Sequence, residues 1–224
     1  MSDAVSHAIQ TEMHTSNAKE IFEHYTGNSL DVFVDIGAHI GTVGLLAAVN
    51  GSRFVCCVEP EYANFNFLLG NIMANKIEHR VFPVCSAIAS KSFELRNLYV
   101  DPNNSGMRSL KAIYKQVGIQ PVWTLSLEDL LGPIIQKFGK VDFLKVDVEG
   151  AEYEIFSSRP FLDKILKNVQ YIDIECHEHM ETSQLAIKDL VPTEAPVLSN
   201  YLQSLGFAVD SYGPHYHLTA KRND

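Results

Sequence analysis

Short, wholly apolar runs alternate with longer stretches of helical periodicity along most of the chain. The first run, Val32, Phe33 and Val34, ends in an acid at Asp35, after which Gly37, Gly41 and Gly44 lead into a second apolar run over 45–49. A run of that length followed by spaced glycines predicts a buried strand over 32–36, a tight turn and a helix over 41–49. Gly51 separates these from a second strand over 53–58, which ends at Glu59-Pro60. Between Tyr62 and Ile77, the residues Phe65, Leu68, Leu69, Ile72 and Met73 recur at helical spacing and predict one buried face. A third strand covers 80–84, and the small residues over 86–90 read as a loop.

The middle of the chain is less regular. A strand over 92–100, a turn-rich loop over 101–107 and a short strand over 122–125 precede the clearest helix. That helix opens at Ser126 with a capping box to Asp129, carries Leu127, Leu130, Leu131, Ile134, Ile135 and Phe138, and closes at Gly139. Strands four (141–148) and five (169–176) flank a helical stretch over 151–167 that Pro160 interrupts. A last helix (195–205) leads to a hairpin of 207–211 and 216–220 around Gly213-Pro214. At the other end, Asn17 as N-cap, with Glu20, Ile21, Phe22 and Tyr25, predicts a helix stopped by Gly27-Asn28. Strands alternating with helices predict an α/β fold, a doubly wound parallel sheet whose closing hairpin adds an antiparallel strand. The expected organisation is an arm and helix over 1–28 and one domain over 29–224.

Composition narrows the function. A net charge of −9 argues against a nucleic-acid partner, which needs a basic surface. No stretch is long and apolar enough to span a membrane, and the first residues lack a signal-peptide pattern. Cys56, Cys57, Cys85 and Cys176 lie in apolar runs without C-x-x-C spacing and read as reduced, buried thiols of a cytoplasmic protein.

Ligands of open α/β sheets bind beyond the carboxyl ends of the strands. Strand one delivers Asp35 and the glycine turn there; strand two delivers Glu59, 22 residues after Gly37. Glycines let the backbone approach a ligand where a Cβ would collide, and a carboxylate so placed suits the two hydroxyls of an adenosine ribose. The turn reads G-x-x-x-G-x-x-G, not the nicotinamide G-x-G-x-x-G, and the chain has no Walker lysine motif and no Tyr-x-x-x-Lys pair. An acid ahead of the glycines repels a pyrophosphate but suits the ammonium and sulfonium of S-adenosylmethionine.

Period-two alternation puts Phe143, Lys145, Asp147 and Glu149 on one face of strand four, and Asp173, Glu175, His177 and His179 on one face of strand five. Sequential parallel strands are usually neighbours, so these polar faces converge at the ligand end, where burial is costly without a purpose. Either Lys145 and Asp173 form an ion pair bracing the sheet, or the row is catalytic, with His177 or Asp147 as general base. Glu175, His177 and His179 make a workable metal set, but hydrogen-bonded networks are commoner, and no metal is assigned. His24, His215 and His217 carry no assigned role.

With these residues in view, the chain resembles the FkbM family of S-adenosylmethionine-dependent methyltransferases. VFVDIGAHIGTVGL resembles the family's first motif, usually written with Asn where this chain has His39. CVEPEYANFNFLLGN resembles its ribose-binding motif, and WTLSLEDLL, VDFLKVDVEGAEYEIF and IDIECHEH follow in the family's order. The likeness runs from about Asp31 to Glu178. It implies the Rossmann-like class I methyltransferase fold, a mostly parallel seven-stranded sheet with an antiparallel last strand. It also implies that Asp35, Gly37, Ala38, His39, Gly41, Glu59, Pro60, Asn64 and Asp147 line the cofactor, with Ser86 near its adenine. His39 for Asn alters the donors beside the methionine moiety, and the paired histidines after strand five are not a fixed family feature.

The expected reaction moves the sulfonium methyl to a hydroxyl of a small molecule or sugar. His177 or Asp147 takes the proton, while Glu149 and Lys145 orient the base or the acceptor. The rival readings are a metal-assisted O-methyltransferase using the Asp147, Glu175 and His177 region, a non-catalytic module that keeps the cofactor pocket, and a nicotinamide dehydrogenase.

Overall fold

The computed structural model describes residues 30–101, 108–111, 118–157, 161–177, 195–212 and 216–223. The helix anticipated from Asn17, the loop over 102–107, the Gly213-Pro214 turn, His24, His179 and His215 lie outside them.

A first βαβαβ unit consists of β1 (Val32–Ile36), α1 (Thr42–Val49), β2 (Phe54–Val58), α2 (Tyr62–Asn75) and β3 (Val81–Val84). An insertion of β4 (Ala87–Ile88), β5 (Leu95–Val100), β6 (Arg108–Ser109) and β7 (Gly118–Leu125) follows. The chain returns through α3 (Leu127–Phe138), β8 (Val141–Val146), α4 (Glu152–Ile155), α5 (Phe161–Leu166), β9 (Val169–Glu175) and α6 (Ala195–Ser204). It closes with β10 (Phe207–Tyr212) and β11 (His217–Arg222).

The main sheet has seven strands in the order β10-β11-β9-β8-β1-β2-β3. β11 runs antiparallel to its neighbours β9 and β10, and the other pairs are parallel, as the α/β reading anticipated. β1 is buried at every residue because helices cover both sheet faces, so its apolar run is continuous rather than alternating. Val32, Val34 and Ile36 enter one apolar layer with Leu131 of α3, Leu162 of α5 and Leu198 of α6. Phe33 enters the other with Leu45 of α1 and Leu68 and Ile72 of α2. Phe33 also stacks on Phe143 of β8 at 5.0 Å between ring centroids, which fixes the register one step below the polar row described next.

Three expectations are corrected. The insertion forms its own sheet, β4-β7-β5-β6, and the residues read as a loop over 86–90 supply its two-residue strand β4. Met73 is 67% exposed; the inward face of α2 follows Asn64, Leu68, Asn71 and Ile72, with Asn71 donating through Nδ2 to the Ile40 carbonyl at 2.8 Å. Two buried asparagines in the stripe shift the apolar register by a position. Cys85 is exposed, whereas Cys56, Cys57 and Cys176 are buried, and all four are free thiols.

Candidate functional site

The turns beyond β1 and β8 pack backbone to backbone. Gly37 has φ +76°, and a Cβ there would lie 1.6 Å from the Asp147 carbonyl oxygen, so only glycine lets the two turns meet. His39 has φ +53°, a left-handed conformation that histidine and asparagine enter more readily than most residues. The shared tolerance gives a backbone reason why either residue suits this position. The His39 N–H donates to Glu59 Oε2 at 2.8 Å, and the Glu61 N–H donates to Glu59 Oε1 at 2.9 Å. Glu59 is only 4% exposed; burial pushes its carboxyl up, against these two N–H groups and the Asn64 side chain. Glu61 in turn caps α2, its Oε2 accepting the Asn64 N–H at 2.7 Å.

A cavity lies at these turns. Gly37, His39, Glu59, Pro60 and Asn64 line it from the first two strand ends, and Asp147 and Glu149 from the turn after β8. Ser86, Ile88, Leu98, Arg108 and Leu110 line it from the insertion. Of these only Ser86 was expected from the sequence, and the other four were missed. β5 brings Leu98, and antiparallel pairing of Val100 with Arg108 brings the segment carrying Arg108 and Leu110; no local motif marks a residue placed by a pairing at that distance.

Behind the cavity runs a buried row of charge. Asp35 of β1 sits beside Lys145 of β8, which sits beside Asp173 of β9. Asp35 is 1% exposed and sits behind the residues that line the cavity. Its Oδ2 accepts the Gly44 N–H of α1 at 2.9 Å, and its Oδ1 lies 3.5 Å from Lys145 Nζ. Lys145 Nζ also lies 3.2 Å from Asp147 Oδ2. The anticipated Lys145–Asp173 brace is therefore replaced: Lys145 bridges Asp35 and Asp147, while Asp173 Oδ1 lies 3.3 Å from His217 Nδ1. Burial draws the Lys145 ammonium down, but Asp147, Asp35 and Glu175 outweigh it and hold its pKa above the ordinary value. Ala38 and Gly41 likewise sit outside the cavity lining; Ala38 packs in the α1–α2 apolar layer, and a Cβ at Gly41 would press on Leu68 Cδ1 at 2.5 Å.

His177 lies among carboxylates. Its Nδ1 is 2.8 Å from Glu152 Oε1, and its Nε2 is 3.6 Å from Glu175 Oε1 and 3.7 Å from Glu149 Oε2. Burial lowers the imidazole pKa, but these acids outweigh it and raise it well above the usual value. His177 is not among the residues that line the cavity. Glu149 does line the cavity; burial, with Asp147, Glu175 and Glu152 adding, pushes its carboxyl up to about 7. Burial also raises Asp147, but Lys145 and His177 outweigh it and lower its pKa. Glu152, fully buried, also accepts the N–H groups of Val148 and Gly150. The sequence reading gave it no role, although an acid opening a short helix inside an apolar stretch was its signal.

Residues 35–209 match the family described as the methyltransferase FkbM domain. The chain belongs to the FkbM methyltransferase family. By its description the family is one of methyltransferases. Among solved structures, a methyltransferase FkbM from Methylobacillus flagellatus is similar over 86% of this chain and 44% of its own, at 14% identity and a TM-score of 0.53. This FkbM-family chain thus spans less than half the length of that relative. A SAM dependent methyltransferase from Aquifex aeolicus is similar over 98% of this chain and 96% of its own, at 10% identity and a TM-score of 0.50. At such identities the likeness concerns the fold. No curated protein matches the chain in sequence. No helix among the described residues is long and apolar enough to cross a membrane.

Proposed function

We propose that this FkbM-family chain methylates a hydroxyl of a small molecule or sugar, holding the cofactor between Glu59 and the Asp147–Glu149 turn. The observation that carries the reading is one cavity bordered by both groups of carboxylates. Glu59 fits a ribose: its oxygens accept the His39 and Glu61 N–H groups and a hydrogen bond from the Asn64 side chain, and of the about four lone-pair sites of a carboxylate one is left for a sugar hydroxyl. Pro60 and Asn64 flank the sugar. Ser86 and Ile88 suit the adenine side, and Gly37 and His39 the methionine side.

Bound S-adenosylmethionine supplies an electrophilic methyl group. The chain must then hold the acceptor oxygen in line, an alignment that contributes on the order of 7–11 kcal/mol. It must also take the hydroxyl proton, and the Glu149 carboxylate at the cavity is the group placed to do so. Asp147, kept ionised by Lys145, favours a cationic ligand over an anionic one. A small acceptor rather than a nucleic acid agrees with the net charge of −9, and four free cysteines agree with a cytoplasmic setting.

Labelled methyl donor incubated with a panel of hydroxylated small molecules tests the reading. Transfer to a hydroxyl is expected, slowed about 10²–10⁴-fold in Glu149→Gln. Transfer to amines alone, or full activity in that variant, overturns it.

A further inference from the structure

We infer that the groups beyond β8 and β9 form a binding site for a divalent first-row transition-metal ion, ligated by Asp147, Glu175 and His177 Nε2. One ligand atom from each of the three lies within 4.8 Å of the others. An ion holding nitrogen and oxygen at about 2.0–2.2 Å sets its ligands up to roughly 4.4 Å apart, so small side-chain rotations close this set around one ion. The ring is already oriented for the task. Its Nδ1 meets Glu152 Oε1 at 2.8 Å, which leaves Nε2 toward Glu175 and Glu149. A carboxylate on the far nitrogen is the usual second-shell partner of a metal-bound histidine.

The surroundings agree with a cation. Glu152, fully buried, holds the far side of the His177 ring through its Oε1. Around the set stand the carboxylates of Asp35, Asp147, Glu149, Glu152, Asp173 and Glu175, against Lys145 and the imidazoles of His177 and His217. A dication offsets that excess. Imidazole in the ligand set favours zinc-, cobalt- or iron-type ions over calcium or magnesium, while the two carboxylates also admit manganese as a probe. Asp147 also borders the cavity, so the ion would sit beside the acceptor, where it would bind the acceptor oxygen and ease loss of its proton. That role, though not the site itself, rests on the methyltransferase reading.

The test uses the full chain after chelator treatment. Mn(II) titration followed by electron paramagnetic resonance is expected to show one ion per chain, and Co(II) to develop visible d–d bands. Glu152→Gln should weaken Mn(II) about 10–100-fold, and His177→Ala and Glu175→Gln by more than about a hundredfold. Absence of stoichiometric Mn(II) binding by the unsubstituted chain, or equal affinity in both ligand variants, overturns the site. S-adenosylhomocysteine calorimetry on the same metal-free samples separates the two ideas. S-adenosylhomocysteine binding without Mn(II) binding removes only the ion, and Mn(II) binding without S-adenosylhomocysteine binding removes only the cavity reading.

Discussion

A methyl group at Gly37 would meet the Asp147 carbonyl oxygen at 1.6 Å, on a backbone with φ +76°. Neither partner is a flexible side chain, so the overlap is relieved only by separating the turns that carry His39 and Asp147. Left-handed strain and overpacking each cost about 1–3 kcal/mol. Gly37→Ala is therefore expected to lose roughly 2–6 kcal/mol in urea unfolding, together with its affinity for S-adenosylhomocysteine. Near-native stability with intact binding would contradict the backbone contact. The glycine was legible in the sequence, because spaced glycines after an apolar run have few other uses. The role of Asp35 was not. An acid at a strand end reads as ligand-facing, yet side-chain alternation sends this one under α1, onto Gly44 and Lys145. Which of two faces a residue takes depends on what covers each face, and that is a tertiary fact.

Among elements, α3 shows how much a local pattern can carry. Ser126 Oγ accepts the Asp129 N–H at 3.1 Å, and Gly139 ends the helix at φ +84° with its N–H on the Ile135 carbonyl. Removing the cap in Ser126→Ala should cost about 0.5–2 kcal/mol with an unchanged urea m-value; no loss would show that the cap contributes nothing. The boundaries of β1 were equally legible, since a short apolar run cut by glycine has little room to shift. By contrast, β7 begins at Gly118, four residues before the strand expected over 122–125, and it contains Pro121. Pro121 sits opposite Asn97 in a stretch that β4, which pairs only with Thr124 and Leu125, leaves as an edge, and there the missing N–H is tolerated. The separate sheet followed from pairings between distant segments and had no local signature.

Across the whole molecule, the sheet divides the thiols by environment. Burial, with the Asp35 charge adding, pushes Cys56 up to about 12, and burial, with Glu152 adding, does the same for Cys176. Cys57 lies deeper still, whereas Cys85 is exposed, its thiol raised as well by partial burial with Glu59 and Glu61 adding. At about pH 8 one thiol should react quickly with a disulfide reagent in the native chain and all four after denaturation, because the thiolate is the reacting form. Two fast thiols would contradict the packing. The strand order that unites β1, β2 and β8 also brings Glu59 and Asp147 to one cavity, and the account depends on that convergence. Isothermal calorimetry with S-adenosylhomocysteine tests it most directly. One site per chain is predicted, weakened about 10–100-fold in Glu59→Gln as charge-assisted hydrogen bonds are lost. No binding by a cooperatively folded chain, or equal affinity in that variant, would contradict it.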